Sequence, residues 1–104
     1  MQDLEKTVPL MTSDDYRERF KAEYWQTKIR YERLKAFNNK IEAADVTACW
    51  GMSPAPEGAH NTPIKMVEMP KHDCPSYLLR EQQRVMGEYL HFLEVRAVIE
   101  GIEL

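Results

Sequence analysis

The sequence predicts an all-α fold: a long antiparallel helical hairpin with an irregular insertion that contains a short extended segment, assembled as a homo-oligomer. Two stretches carry apolar residues at alternating steps of three and four, which places them on one helix face. Most of the prolines lie between these stretches and break regular structure. We therefore expect residues 1–12 to be a leader and residues 13–104 to form one helical-hairpin domain, with a helix over about 14–44, an irregular connection over 45–73 and a helix over about 75–100.

Composition narrows the class of protein. The chain has 104 residues, 43% of them hydrophobic and 30% charged, with a net charge of −3. A chain of this length forms one small domain with a limited core. Its mild acidity argues against binding a nucleic-acid polymer. It has no apolar run near 18 residues and no signal-peptide pattern at its start, so we expect an intracellular protein without a membrane segment. Two cysteines are too few for a disulfide scaffold.

The first helix is predicted to begin after Ser13, which suits the N-cap, with Asp14 and Asp15 in the first turn. Pro9 is expected to preclude a helix through the apolar part of the leader. The main apolar seam of the helix consists of Phe20, Tyr24, Thr27, Tyr31, Leu34, Asn38 and Ile41. A second, weaker stripe beside it consists of Ala22, Trp25, Ile29 and Ala36.

The connection after Asp45 contains prolines and glycines throughout and cannot be helical along its whole length. Residues Thr62 to Pro70 alternate apolar and polar side chains between prolines, which predicts a short strand. Connections of this length in compact domains are often functional or disordered.

The second helix has a defined start and end. Pro75 suits the first turn, and Gly101 suits the C′ position, with Ile102 folding back on the last turn. One apolar stripe consists of Leu79, Met86, Leu90, Leu93 and Ala97, and another beside it of Leu78, Val85, Tyr89, Phe92 and Ile99. The hairpin buries one stripe. The insertion or another copy of the chain must cover the other.

One face of the second helix is a candidate ligand site, formed by Arg80, Arg84, Gly87 and His91. Two arginines one turn apart can clamp a phosphate or a carboxylate, and a glycine one turn on lets a ligand approach closely. The simpler interpretation pairs the arginines with Glu81 and Glu88 on an exposed face and assigns Gly87 to a tight helix crossing. For any single residue the simpler interpretation is favoured.

Aromatic residues outside the main seam are further candidates for ligand contact. Trp25, Trp50 and Lys65 are free to stack on a nucleobase or to pair with its phosphates, whereas Tyr24 and Tyr31 are better explained by core packing. The predicted ligand-binding set is therefore Arg80, Arg84, Gly87, His91, Trp25, Trp50 and Lys65.

The sequence contains no nucleophile elbow, P-loop or paired-carboxylate motif, so we predict no enzyme and no cofactor. Four residues in or beside the connection have the right types for a zinc site, namely Cys49, His60, His72 and Cys74. Their spacings match no zinc signature, so we interpret them as incidental and predict no metal. A zinc-stabilised accessory domain remains a third possibility.

The two predicted helices carry a family resemblance. The segment His72–Gln82, with its Cys-Pro-x-x-Leu-Leu start, and the segment Met86–Ile102, with its Arg-Ala-x-Ile-Glu-Gly end, resemble a family of small phage and prophage proteins named after an uncharacterised crAss-like phage protein. Asp15–Phe20 and Tyr31–Leu34 resemble the first helix of that family. The resemblance covers about 65 of the 104 residues. It implies a phage protein in the cytoplasm of a bacterial host, but no activity.

A second likeness is architectural. Small size, a long hairpin and excess apolar helix surface are similar to the helical-hairpin domain of phage sponge proteins, which bind cyclic oligonucleotides or cyclic ADP-ribose signals and so blunt CBASS and Thoeris immunity. The leading hypothesis is a phage-encoded, non-enzymatic protein that sequesters a nucleotide-type immune signal in pockets between subunits. The alternative is an interaction module that binds a host or phage protein through its second apolar face.

Overall fold

A computed structural model describes residues 3–52, with side chains through residue 48, and residues 66–104. The described chain contains, in order, a 3₁₀ turn at Leu4–Thr7, helix α1 at Val8–Met11, helix α2 at Tyr16–Met52 and helix α3 at Ser76–Glu100. Helices α2 and α3 pack together, and α1 and the 3₁₀ turn lie against α2. The predicted all-α hairpin is therefore confirmed.

Cross-helix hydrogen bonds show that α2 and α3 run antiparallel. Near the N-terminal end of α2, the Tyr24 hydroxyl donates to a carboxylate oxygen of Glu94 at 3.0 Å. Two turns past the middle of the hairpin, the Asn38 amide donates to the Leu79 carbonyl oxygen at 3.1 Å. Residue numbers rise along α2 as they fall along α3, so these two bonds set the register of the hairpin.

The core lies between the two long helices and continues past the end of α3. Leu93 is 2% exposed and is among the largest fully buried side chains of the described chain. The whole cluster consists of Phe20, Tyr24, Leu90, Leu93, Ala97 and Ile102, with Trp25 and Tyr31 packed against it. The stripe of α3 that was predicted to include Leu90, Leu93 and Ala97 is thus the buried one, and the main seam of α2 faces it.

The end of α3 matches its prediction. Gly101 has a φ of 68° and a ψ of 33°, the left-handed conformation that a glycine adopts without steric cost. The Ile102 N–H donates to the Ala97 carbonyl oxygen at 2.8 Å, and the Ile102 side chain is buried. This is a Schellman ending. Arg17 of α2 reinforces it by donating to the carbonyl oxygens of Gly101 and Glu100, each at 3.0 Å.

The N-terminal segment differs from its prediction in two ways. Pro9 does not preclude a helix, because it lies in the first turn of α1, where a missing N–H breaks no hydrogen bond. Ser13 is not the cap of α2. Asp15 takes that role instead, since its carboxylate accepts from the Arg17 N–H at 2.9 Å, and Ser13 accepts from the Asp15 N–H at 3.1 Å.

Helix α2 also runs past its predicted end near Ala44. No proline or glycine lies between Asp45 and Trp50, so backbone hydrogen bonding continues after the apolar periodicity stops. The Thr47 hydroxyl donates to the Ala43 carbonyl oxygen at 2.8 Å and accepts from the Val67 N–H at 3.2 Å, which ties the returning chain to α2.

The predicted strand over 62–70 lies only partly within the described chain. Residues 66–70 form neither helix nor paired strand, and residues 62–65 lie outside the described residues. The strand therefore stays a prediction for its first half.

Candidate functional site

A shallow depression lies along one side of α3, where this helix meets the middle of α2. Its volume is about 650 Å³, and it is open to solvent. It is lined by Tyr31, Arg84, Gly87, Glu88, His91 and Phe92. Five of these residues come from two turns of α3, and one comes from α2, so the register of the hairpin assembles the site.

Gly87 shapes the floor of the depression. It faces Tyr31 across the hairpin, and a Cβ added at this position would lie 3.4 Å from Tyr31 Cε2 and 3.6 Å from the Tyr31 hydroxyl oxygen. The first distance is close van der Waals contact, so an alanine would fit against the ring. The Tyr31 ring therefore packs directly against Gly87, and an alanine at this position is expected to be tolerated.

Arg84 supplies the positive charge of the depression, and two carboxylates of its own helix hold it. Its guanidinium donates to Glu81 at 2.9 Å and to Glu88 at 2.8 Å. The hydrogen bond to Glu81, followed by the charges of Glu81 and Glu88, raises the pKa of Arg84 above its ordinary value. Because the side chain is 55% exposed, these are weak surface pairs. An incoming anion with two oxygens could replace a carboxylate at low cost.

Aromatic and imidazole rings form the rest of the lining. The rings of His91 and Phe92 have centroids 6.2 Å apart. Phe92 is 63% exposed, an unusual position for so large an apolar side chain. Tyr31 is half-buried against the core, and the Lys28 ammonium lies 5.8 Å from its ring centroid. A flat heterocycle therefore finds ring faces and edges here, with cationic groups nearby.

The structure brings together three of the predicted ligand-binding residues, Arg84, Gly87 and His91. Arg80 is exposed one turn before Arg84 but does not line the depression. Trp25 lies elsewhere: its ring packs edge-on against Tyr24 at 5.1 Å, beside the core.

Two other predicted ligand residues, the Trp50 side chain and Lys65, lie outside the described residues. Their role in binding stays a prediction.

Three lining residues were assigned other roles from the sequence. Tyr31 was placed in the core seam, Glu88 was treated as a surface partner of an arginine, and Phe92 was counted in the second apolar stripe. Glu88 lies four residues after Arg84, and Phe92 lies four residues after Glu88, so a wider arc would have included both. Assigning Tyr31 to the site requires knowledge of the register of α2 against α3, and apolar periodicity alone does not give that register.

The arrangement suits binding of a small polar aromatic molecule. Its charged groups, Arg84 and Glu88, balance each other, with His91 beside them. Arg84 can hold a phosphate in bidentate fashion, and the rings can stack on a base. An anion at Arg84 would have to replace its ion pairs with Glu81 and Glu88.

Two of the four residues considered as zinc ligands are described. The His72 Nδ1 atom lies 2.7 Å from the Pro70 carbonyl oxygen, and its ring meets Phe37 edge-on at 6.1 Å. Cys74 is exposed. The Cys49 side chain and His60 lie outside the described residues, and within 3–52 and 66–104 no three His, Cys, Asp or Glu residues converge on one point.

The model of the Sequestin family matches residues 14–49 and 65–99, which include α3 up to its last turn and most of α2. No curated protein and no solved structure matches the chain.

None of the helices within the described ranges is both long enough and apolar enough to cross a membrane.

Proposed function

The chain belongs to the Sequestin family, and from that premise we propose that it binds and sequesters a nucleotide-type immune signalling molecule without transforming it. The family name indicates a sequestering role. Both helices resemble a family of phage proteins, and the hairpin is similar to phage sponge proteins. These likenesses support a phage-encoded protein that acts in the cytoplasm of a bacterial host. Sequestration needs affinity and specificity, and it needs no catalytic group.

The observation that carries this proposal is the depression at Tyr31, Arg84 and Gly87. A nucleotide has a flat base and an anionic phosphate, and the depression offers rings for the first and a guanidinium for the second. His91 lies about two turns after Arg84 on the same face and can donate to a phosphate oxygen.

The depression is too open to bury a ligand by itself. Tight small-molecule sites usually enclose most of the ligand surface. Since the lining residues Phe92 and Glu88 are exposed on α3, a surface placed against the outside of α3 would enclose more of the depression. This supports a pocket that forms where two copies of the chain meet.

The test is binding of candidate signals by calorimetry, with a panel of cyclic dinucleotides, cyclic trinucleotides and cyclic ADP-ribose isomers. At least one is expected to bind, and Arg84→Ala is expected to weaken it by about tenfold or more, because a charge-assisted hydrogen bond contributes about 1.5–3 kcal/mol. Arg33→Ala is the matched control. Arg33 is exposed two residues after Tyr31, and residues two apart on a helix do not share a face.

The same experiment can overturn the proposal. Absence of binding by the whole panel, with a folded protein of verified oligomeric state, contradicts it. Equal losses in Arg84→Ala and Arg33→Ala contradict the assigned site. Ligand recovered after denaturation should have an unchanged mass, and a changed mass would contradict sequestration without chemistry.

The alternative function is a protein-interaction module, and one observation favours it. Leu78, Phe92 and Ile99 of α3 are 50%, 63% and 78% exposed, so a large apolar face is open. Exposed apolar patches of this kind mark binding surfaces for proteins. Light scattering separates the two ideas: a monomer at high concentration supports a foreign partner, whereas a dimer or larger assembly supports pockets between copies.

A further inference from the structure

The outer face of α3 carries a straight line of large apolar side chains. Leu78, Val85, Phe92 and Ile99 follow one another at intervals of seven residues, and their exposed fractions are 50%, 52%, 63% and 78%. We call these four residues the outer stripe. A seven-residue interval is the repeat of helices that pack side by side over many turns. The outer stripe therefore supplies one apolar position in each heptad of a seam for another helix.

Within the described chain, the outer stripe has no helical partner. Helix α3 packs against α2 alone among the described elements, and it does so through the opposite face. Helix α1 and the 3₁₀ turn lie on α2. The hairpin therefore presents α3 as a two-sided helix with one side open.

We propose that α3 of a second copy covers the outer stripe, antiparallel to the first and related to it by a two-fold axis. The apolar area available for burial supports a second copy of α3 as the partner. With Tyr89 and Val95 at its edges, the face has six large side chains that are 43% or more exposed. At on the order of 100 Å² each, half of what a large side chain can bury, two copies together bury roughly 1,200 Å². Stable interfaces begin at about that area.

Symmetry explains how one stripe serves both copies. In a two-fold interface the same patch must be complementary to itself. With the axis between Glu88 and Tyr89, Leu78 lies opposite Ile99 of the second copy, and Val85 lies opposite Phe92 of the second copy. Each of these four layers then joins apolar side chains, and the small Val85 faces the large Phe92.

A parallel pair is a poorer fit. It would place Phe92 against Phe92 and Val85 against Val85, one layer too wide and one too narrow for close packing. The antiparallel arrangement alternates large and small residues across the seam, as well-packed helix interfaces do.

The pairing also completes the depression, and in this respect it rests on the proposed function. Phe92 belongs both to the outer stripe and to the lining of the depression. Packing of Val85 of the second copy against Phe92 adds a wall at the open rim beside Glu88. Each dimer then has two equivalent enclosed sites, one on each side of the axis.

Disulfide crosslinking tests the geometry in the full-length chain with Cys49 and Cys74 replaced by serine. Glu88→Cys and Tyr89→Cys lie next to the proposed axis, so each should crosslink with itself. Ile99→Cys alone should not, whereas a mixture of Leu78→Cys and Ile99→Cys chains should. Self-crosslinking of Ile99→Cys would indicate a parallel pair and overturn the proposal.

A matched pair of charge substitutions tests the surface itself. Ile99→Asp places a carboxylate in the outer stripe. Val98→Asp places the same carboxylate one residue away, on a side chain that is 83% exposed but points off the stripe. Sedimentation should show a rise of about tenfold or more in the dimer dissociation constant for Ile99→Asp, because a buried unpaired charge is costly, and little change for Val98→Asp.

Both experiments run without ligand, so their failure is distinct from failure of the proposed function. If the dimer shows the expected crosslinks but binds no nucleotide, this inference is supported and the proposed function is contradicted. A monomer at high concentration, or equal effects of Ile99→Asp and Val98→Asp, overturns the inference, while ligand binding can still be measured.

Discussion

Helix α3 has two apolar faces that look alike in sequence and differ completely in their surroundings. On the inner face, Leu90, Leu93 and Ala97 are 4%, 2% and 3% exposed. On the outer face, Val85 and Ile99 are 52% and 78% exposed. The inner face meets α2 and holds the hairpin together, and the outer face is left largely exposed within the described chain. Apolar periodicity thus identifies a surface that must be covered, and it does not identify the element that covers it.

The largest expected contrast comes from truncating one leucine on each face. Leu93→Ala should lower the free energy of unfolding by about 3 kcal/mol, because it leaves a cavity in the core. Leu78→Ala removes a half-exposed side chain and should cost less than about 1 kcal/mol in dilute protein, where the monomer dominates. Urea denaturation at low concentration measures both. Equal costs would mean that the outer face is already buried within one chain.

Asn38 sharpens the comparison because it is a buried polar residue in the main seam of α2. It is 6% exposed, and its amide donates to the Leu79 carbonyl oxygen and, at 2.9 Å, to the Gln83 side-chain oxygen. Asn38→Asp turns this donor into a buried carboxylate facing two acceptors, which should cost about 2–4 kcal/mol. Asn39→Asp, on the exposed neighbour, should change stability by less than about 0.5 kcal/mol. Comparable losses from the two variants would argue against the register described above.

Tyrosines on the two sides of the hairpin respond to high pH. Burial, followed by the hydrogen bond to Glu94, raises the pKa of Tyr24 to about 12. In the unfolded chain this hydroxyl titrates near its ordinary value of about 10. The unfolded state therefore loses its proton first. The stability that Tyr24 contributes is complete below pH 10 and falls as the pH rises towards 12.

Tyr24→Phe should abolish this part of the alkaline loss, as followed by urea unfolding between pH 9 and pH 11. Tyr89 is the comparison on the outer side. Its pKa is also raised, by burial and by its hydrogen bond to Glu23, but it is 43% exposed, so Tyr89→Phe should flatten the pH profile less. An unchanged slope in Tyr24→Phe would show that the Tyr24 hydroxyl is not buried beside Glu94 in solution.

The smallest effect is expected at Gly87, where the two helices approach beside the depression. Gly87→Ala should raise stability by up to about 1 kcal/mol, because alanine is the better helix former and its methyl group meets Tyr31 at contact distance. The same methyl group should weaken ligand binding. Thermal unfolding and calorimetry measure the two effects. A destabilised Gly87→Ala protein would show that the glycine serves helix packing rather than access to Tyr31.

Much of the hairpin followed from the sequence because its signals are local. Gly101 and Ile102 specify the end of α3 through backbone geometry that few other sequences allow. The predicted end of α2 was too early, because apolar periodicity indicates only which residues face a partner. The helix itself can continue beyond those residues until it meets a helix-breaking residue. In the candidate site, Arg84, Gly87 and His91 share one helix face and were found together. Tyr31 comes from the other helix and was not.

The sequence by itself determined that two amphipathic helices form, where α3 ends, and that α3 has more apolar surface than one partner covers. These properties depend on residue spacing along one helix and on capping within a few residues. Only the tertiary structure decided which face of α3 is buried and which residue of α2 meets Gly87. The reason is physical. Both apolar faces have similar transfer free energies, and long-range pairs such as Tyr24 with Glu94 and Asn38 with Leu79 set the register that chooses between them.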